Sequence, residues 1–113
     1  MFMILCVVDE PGMRDKVLKA WYKNGIKGIT IIESTGIHRL GDHLSIPMRY
    51  TFRGADAERG NNTLLTVVEN EETIQRCLEI TESVIGDFND PNTGIFIAWP
   101  LSFAKGVVGK KQE

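Results

Sequence analysis

The chain has 113 residues, 42% of them hydrophobic and 25% charged, which supports a single domain spanning residues 1–113 with its own core. A formal net charge of -2 excludes general affinity for nucleic acid or acidic membranes, so any anion chemistry must be local. No apolar run approaches the roughly 18 residues that span a bilayer and no basic, cleavable leader is visible, so a cytoplasmic protein without membrane insertion is expected.

Phe2 to Val8 is an apolar run rich in β-branched residues and reads as a strand, followed by a turn at Asp9, Glu10, Pro11 and Gly12. From Met13, the apolar positions Met13, Val17, Ala20 and Trp21 recur at helical spacing until Asn24-Gly25 stops the helix. Ile29 to Ile32 forms a second β-branched run. A polar stretch without periodicity follows, from about residue 36 to 62. Loops longer than about 12–15 residues are uncommon in compact domains and tend to be functional. This one carries Arg39, Arg49, Arg53 and Arg59, no lysine, and both histidines of the chain, His38 and His43.

Beyond it, Thr63 to Glu69 reads as a strand and Asn70 as the cap of a helix from about Glu71. Ile74, Cys77, Leu78, Thr81, Val84 and Ile85 make the core stripe of that helix, which the cluster Gly86 to Gly94 breaks. Ile95 to Trp99 is a fourth strand, ended by Pro100. Cys6 and Cys77 sit inside a strand and a helix pattern, so buried, reduced thiols are expected.

The order βαββαβ is that of the split βαβ, ferredoxin-like fold, an α+β class in which two helices cover one face of a four-stranded antiparallel sheet. The strands read as nearly continuous apolar runs, so both sheet faces want cover. Two helices supply only one. Either the sheets of several copies pack together, or the segment Leu101 to Val108 folds back over the open face.

The run Gly28-Ile29-Thr30-Ile31-Ile32-Glu33-Ser34-Thr35-Gly36-Ile37-His38-Arg39 resembles the second strand and following turn of the nitrogen-regulatory PII signal-transduction proteins. Phe52-Arg53-Gly54-Ala55-Asp56 is similar to a sequence in that family's long T-loop, and Gly94-Ile95-Phe96 with Pro100 resembles its last strand. The resemblance implies a homotrimer that binds adenine nucleotides in clefts between subunits and engages a regulated transporter or enzyme through its T-loop. By the same resemblance Thr30, Gly36 and Arg39, with Gly86, Asp87, Thr93 and Gly94 of the turn before the last strand, fall at the ligand site. Arg49, Phe52, Arg53 and Gly54 fall in the partner-binding loop. Backbone at Gly admits close approach of a base or phosphate, and an Arg fork holds an anion at two points.

Departures from the family pattern redirect the expectation. His38 replaces a turn glycine, Gly94 stands where the family has a phosphate-binding lysine, and Gly106 and Val108 stand where it has paired arginines. Each charge-assisted hydrogen bond lost removes about 1.5–3 kcal/mol, which argues against ordinary ATP binding and for a monophosphate, a cyclic nucleotide or a carboxylate. Ala57 occupies the position of the uridylylated tyrosine, so covalent switching there is not expected. Two other classes compete. His38, Asp42 and His43 offer imidazole and carboxylate at short spacing, as a metal site like that of the CutA family would need. Small ferredoxin-like chains also include enzymes, but no nucleophile-base or phosphate-loop motif is present, and a non-enzymatic regulator is the expectation.

Overall fold

The computed structural model describes residues 1–10, 12–34, 61–91 and 93–107. Six elements follow in order: β1 (Phe2–Val8), α1 (Arg14–Lys23), β2 (Ile29–Ser34), β3 (Asn61–Val68), α2 (Glu71–Ile85) and β4 (Gly94–Pro100). The sheet is four-stranded in the order β2-β3-β1-β4, with every pair antiparallel. This is the ferredoxin-like α+β arrangement, with β1 and β3 central and β2 and β4 at the edges.

The helix ends follow local chemistry. The Asn70 side chain accepts from the Thr73 backbone N–H at 2.9 Å and from the Thr73 hydroxyl at 2.8 Å, satisfying a donor that the first turn of α2 would leave open. At the far end the chain leaves α2 through Gly86, whose φ of +99° suits a residue without Cβ. α1 begins one residue later than the apolar spacing suggests, because Met13 occupies the cap without a side-chain acceptor. It ends at Asn24, whose amide donates to the Ala20 carbonyl at 2.7 Å.

Alternation along the strands splits the apolar residues between two faces. Toward the helices point Ile4, Cys6 and Val8 of β1 and Leu64, Thr66 and Val68 of β3, all buried. They meet Val17 and Trp21 of α1, Ile26 of the following turn, and Cys77 and Thr81 of α2. The indole and hydroxyl at the centre of this core are paired, while Asn62 Oδ1, on the same side of β3, is buried without a hydrogen-bond partner among the described residues. Trp21 Nε1 donates to Thr81 Oγ1 at 2.8 Å, and that hydroxyl donates to the Cys77 carbonyl at 2.6 Å.

The opposite face forms three cross-strand rows: Trp99, Met3 and Val67; Ile97, Leu5, Leu65 and Thr30; Ile95, Val7, Thr63 and Ile32. No described element covers it. Ile32, Ile95, Ile97 and Trp99 remain 40–54% exposed. Residues 101–107 leave Ile95 and Ile97 of these rows exposed. Leu101 N–H donates to the Met1 carbonyl at 2.9 Å, and the segment lines a groove with Met3, Thr30 and Val67 at one end of the sheet, with Phe103 exposed. Trp21 is thus a core residue, while Trp99 stands on the open face.

Candidate functional site

The residues that the sequence singles out fall into separate places. Gly36, Arg39, Arg49, Phe52, Arg53 and Gly54, together with the metal candidates His38, Asp42 and His43, lie outside the described residues. Among the described residues no group of three or more His, Cys, Asp and Glu side chains could hold a metal ion.

Gly86, Asp87, Thr93 and Gly94 belong to the turn that carries α2 into the edge strand β4. The turn is tied internally. Asp87 Oδ1 accepts from the Asn89 N–H at 2.8 Å, the Asp87 carbonyl accepts from the Asp90 N–H at 3.0 Å, and Glu82 Oε2 accepts from the Phe88 N–H at 3.0 Å. Phe88 anchors the turn by packing on Phe96, with ring centroids 5.7 Å apart. Thr93 offers its carbonyl to the Asp9 N–H at 3.5 Å. At Gly94 the backbone passes so close to β1 that a Cβ would strike the Val7 carbonyl, and its φ is +137°. The carboxylate of Asp87 therefore shapes the turn, and the turn presents acids and backbone without a cation.

Thr30 lies elsewhere, on the edge strand β2, in the middle row of the open face. It helps line a groove of about 940 Å³ at the end of the sheet where β1 begins and β3 ends. Other walls come from the turn between α1 and β2, the start of α2, and residues 101–107. Lys27, Arg76 and Lys105 line it, with Glu69 as the one carboxylate on the wall. Thr66 Oγ1 donates to the Gly28 carbonyl at 2.9 Å and so fixes the backbone beside Thr30.

None of the three cations was a candidate in the sequence. Lys105 is visible there as a basic residue near, but not at, the family's arginine positions, while Lys27 and Arg76 carry no local signal. Between Thr30 on β2 and Gly94 on β4 stand both central strands, a separation of about 14 Å at the usual strand spacing. One copy of the chain does not bring these two sets of residues together.

The two thiols are not reactive groups of either place. Burial pushes Cys6 up to about 12, helped by the neighbouring Cys77, and burial likewise pushes Cys77 up to about 12 against a hydrogen bond from Thr81 and the charge of Arg76. Both are free and fully buried. No helix among the described residues is long and apolar enough to cross a membrane.

No family model and no curated protein sequence matches the chain. Its fold does match solved structures, among them that of Arabidopsis thaliana PII bound to citrate, with a TM-score of 0.58 and 14% identity over 89% of this chain and 77% of that one. At so low an identity the likeness concerns the fold, and in fold this chain is similar to a PII protein.

Proposed function

We propose that this chain is a PII-like regulator of the cytoplasm: a homotrimer that binds a small ligand in clefts between subunits and uses its segment of about 36–62 to engage a partner protein. The observation that carries this reading is the placement of the candidate ligand residues on opposite edges of one sheet. Thr30 and its groove sit at β2, the turn Gly86 to Gly94 at β4, and a second copy set edge to edge supplies to each what its own chain holds out of reach. The open face, with Ile32, Ile95, Ile97 and Trp99 exposed, gives such copies an apolar surface on which to assemble. The fold likeness to a PII protein supports the same reading at the level of architecture.

The role is binding, not catalysis. The Asp87 carboxylate is engaged with its own turn and the buried thiols stay protonated through the ordinary pH range, so none of these groups is free to act as a base or nucleophile. The ligand acts by population shift, binding the ordered form of the segment better than its alternatives. Citrate in the Arabidopsis protein makes a carboxylate a natural first probe, beside adenosine monophosphate and a cyclic nucleotide.

Native mass spectrometry combined with limited proteolysis tests this. A trimer is expected, together with slower cleavage between residues 36 and 62 when one of these probes is present. A monomer at micromolar concentration, or cleavage that no probe changes, overturns the reading.

A further inference from the structure

We propose that the groove at the end of the sheet where β1 begins binds a small multivalent anion, a polycarboxylate or a phosphate ester, between Lys27, Arg76 and Lys105. This names the ligand class for the binding reading above and rests on it, but it does not depend on the trimer, since all three cations belong to one chain.

Charge segregation is the first argument. The chain as a whole is formally -2, yet three cations line this groove against the single carboxylate of Glu69. They come from the turn before β2, from α2 and from the segment after β4, so no shared local pattern accounts for their meeting. Lys27 Nζ stands 5.3 Å from the centre of the Tyr22 ring, a contact that holds the ammonium without neutralising it. Arg76 and Lys105 form no ion pair with another described residue; the ion pair present among described residues joins Arg14 to Asp15. The three cations stand on separate walls of one groove, so an anion bound there meets positive charge from more than one side.

Size and polarity agree with a small molecule. A volume of about 940 Å³ lies at the upper end of the range for ligand pockets, too small for a folded partner. The Thr30 hydroxyl adds a donor on the β2 side. Thr73, in the first turn of α2, also lines the groove, which brings the positive end of that helix to its wall. Glu71 and Glu72 share that helix end but are not on the groove wall. A guanidinium fork at Arg76 suits either a carboxylate or a phosphate, while the ammonium groups act as point charges.

The test is calorimetric titration of the full chain with citrate, inorganic phosphate and adenosine monophosphate at low and high salt. Binding is expected for at least one of the three, weakening as salt rises. Arg76→Gln and Lys105→Gln are each expected to weaken it by about tenfold or more, with Lys105→Arg retaining most of it and Lys19→Gln, at an exposed position of α1 outside the groove lining, leaving it unchanged. A preference for citrate assigns the site to polycarboxylates, and a preference for the monophosphate assigns it to phosphate esters. If the folded wild-type chain binds none of the three at millimolar concentration, or if Arg76→Gln and Lys105→Gln bind as the wild type does, the inference is overturned. Mass measurement on the same samples keeps the two readings apart. A trimer whose Arg76→Gln and Lys105→Gln variants bind the anions as the wild type does removes this anion site alone, whereas a monomer that binds citrate removes the trimer alone.

Discussion

At Trp21, Thr81 and Cys77 a single chain of hydrogen bonds links the two helices inside a largely apolar core. The indole N–H and the threonine hydroxyl satisfy each other, so removing one partner strands a buried polar group. Thr81→Val is expected to cost about 2 kcal/mol and Trp21→Phe about 2 kcal/mol, with a coupling of about 1 kcal/mol in the double-mutant cycle, read from urea denaturation. Strict additivity would show that the two side chains do not depend on each other. Gly94→Ala meets a harder obstacle, because both its φ and the Val7 carbonyl exclude a Cβ. A loss of about 3 kcal/mol or more is expected, and an unchanged midpoint would mean that β4 can shift outward at no cost. The buried thiols give a pH signature. With native values of about 12 against an ordinary thiol value of 9.0, the unfolded chain gives up these protons first as pH rises. Stability from this source is complete below about pH 9 and declines as pH rises toward 12, by up to about 1.4 kcal/mol per pH unit for each thiol. The slope of unfolding free energy against pH in Cys6→Ala should be shallower over that window than in the wild type.

The helix ends and the strands are where sequence and structure agree most closely. Asn70, Asn24-Gly25 and Gly86 act through bonds and torsions confined to a few residues, so their spacing alone reveals the helices. Asn70→Ala should lower stability by about 1 kcal/mol, measured by thermal unfolding, since two hydrogen bonds to Thr73 disappear together. An unaffected melting temperature would show that water replaces the cap freely. The strands differ from expectation only at their ends. β3 starts at Asn61, before the first apolar residue, because its pairing with β2 continues to Ser34. That information lies in the partner strand, beyond the reach of any local pattern. The candidate site was legible only in part for the same reason. Thr30 and Gly94 stand out by resemblance, but Lys27, Arg76 and Lys105 become neighbours only when three distant segments converge at one end of the sheet.

For the whole molecule, the exposed sheet face sets the terms. Covering Ile32, Ile95, Ile97 and Trp99, each roughly half-exposed, contributes on the order of 1 kcal/mol per side chain and copy before the entropy of association is subtracted. Ile97→Asp sets a carboxylate on the middle row of that face, at its β4 edge beside Leu5, while leaving the helix-facing core intact. It should sediment as a folded monomer, against the trimer proposed for the wild type. A trimer of unchanged stability in this variant would place the contact elsewhere.

In the ring we propose, the division of candidate ligand residues between the two outer strands also has a genetic meaning. A chain altered in the groove beside β2 still carries an intact turn at β4, and a chain altered in that turn still carries an intact groove. Each alone builds only spoiled clefts. Mixed within one ring, the sound half of the first meets the sound half of the second, and some clefts become whole. Two inactive alleles expressed together should then complement one another, an outcome closed to any site completed within a single chain.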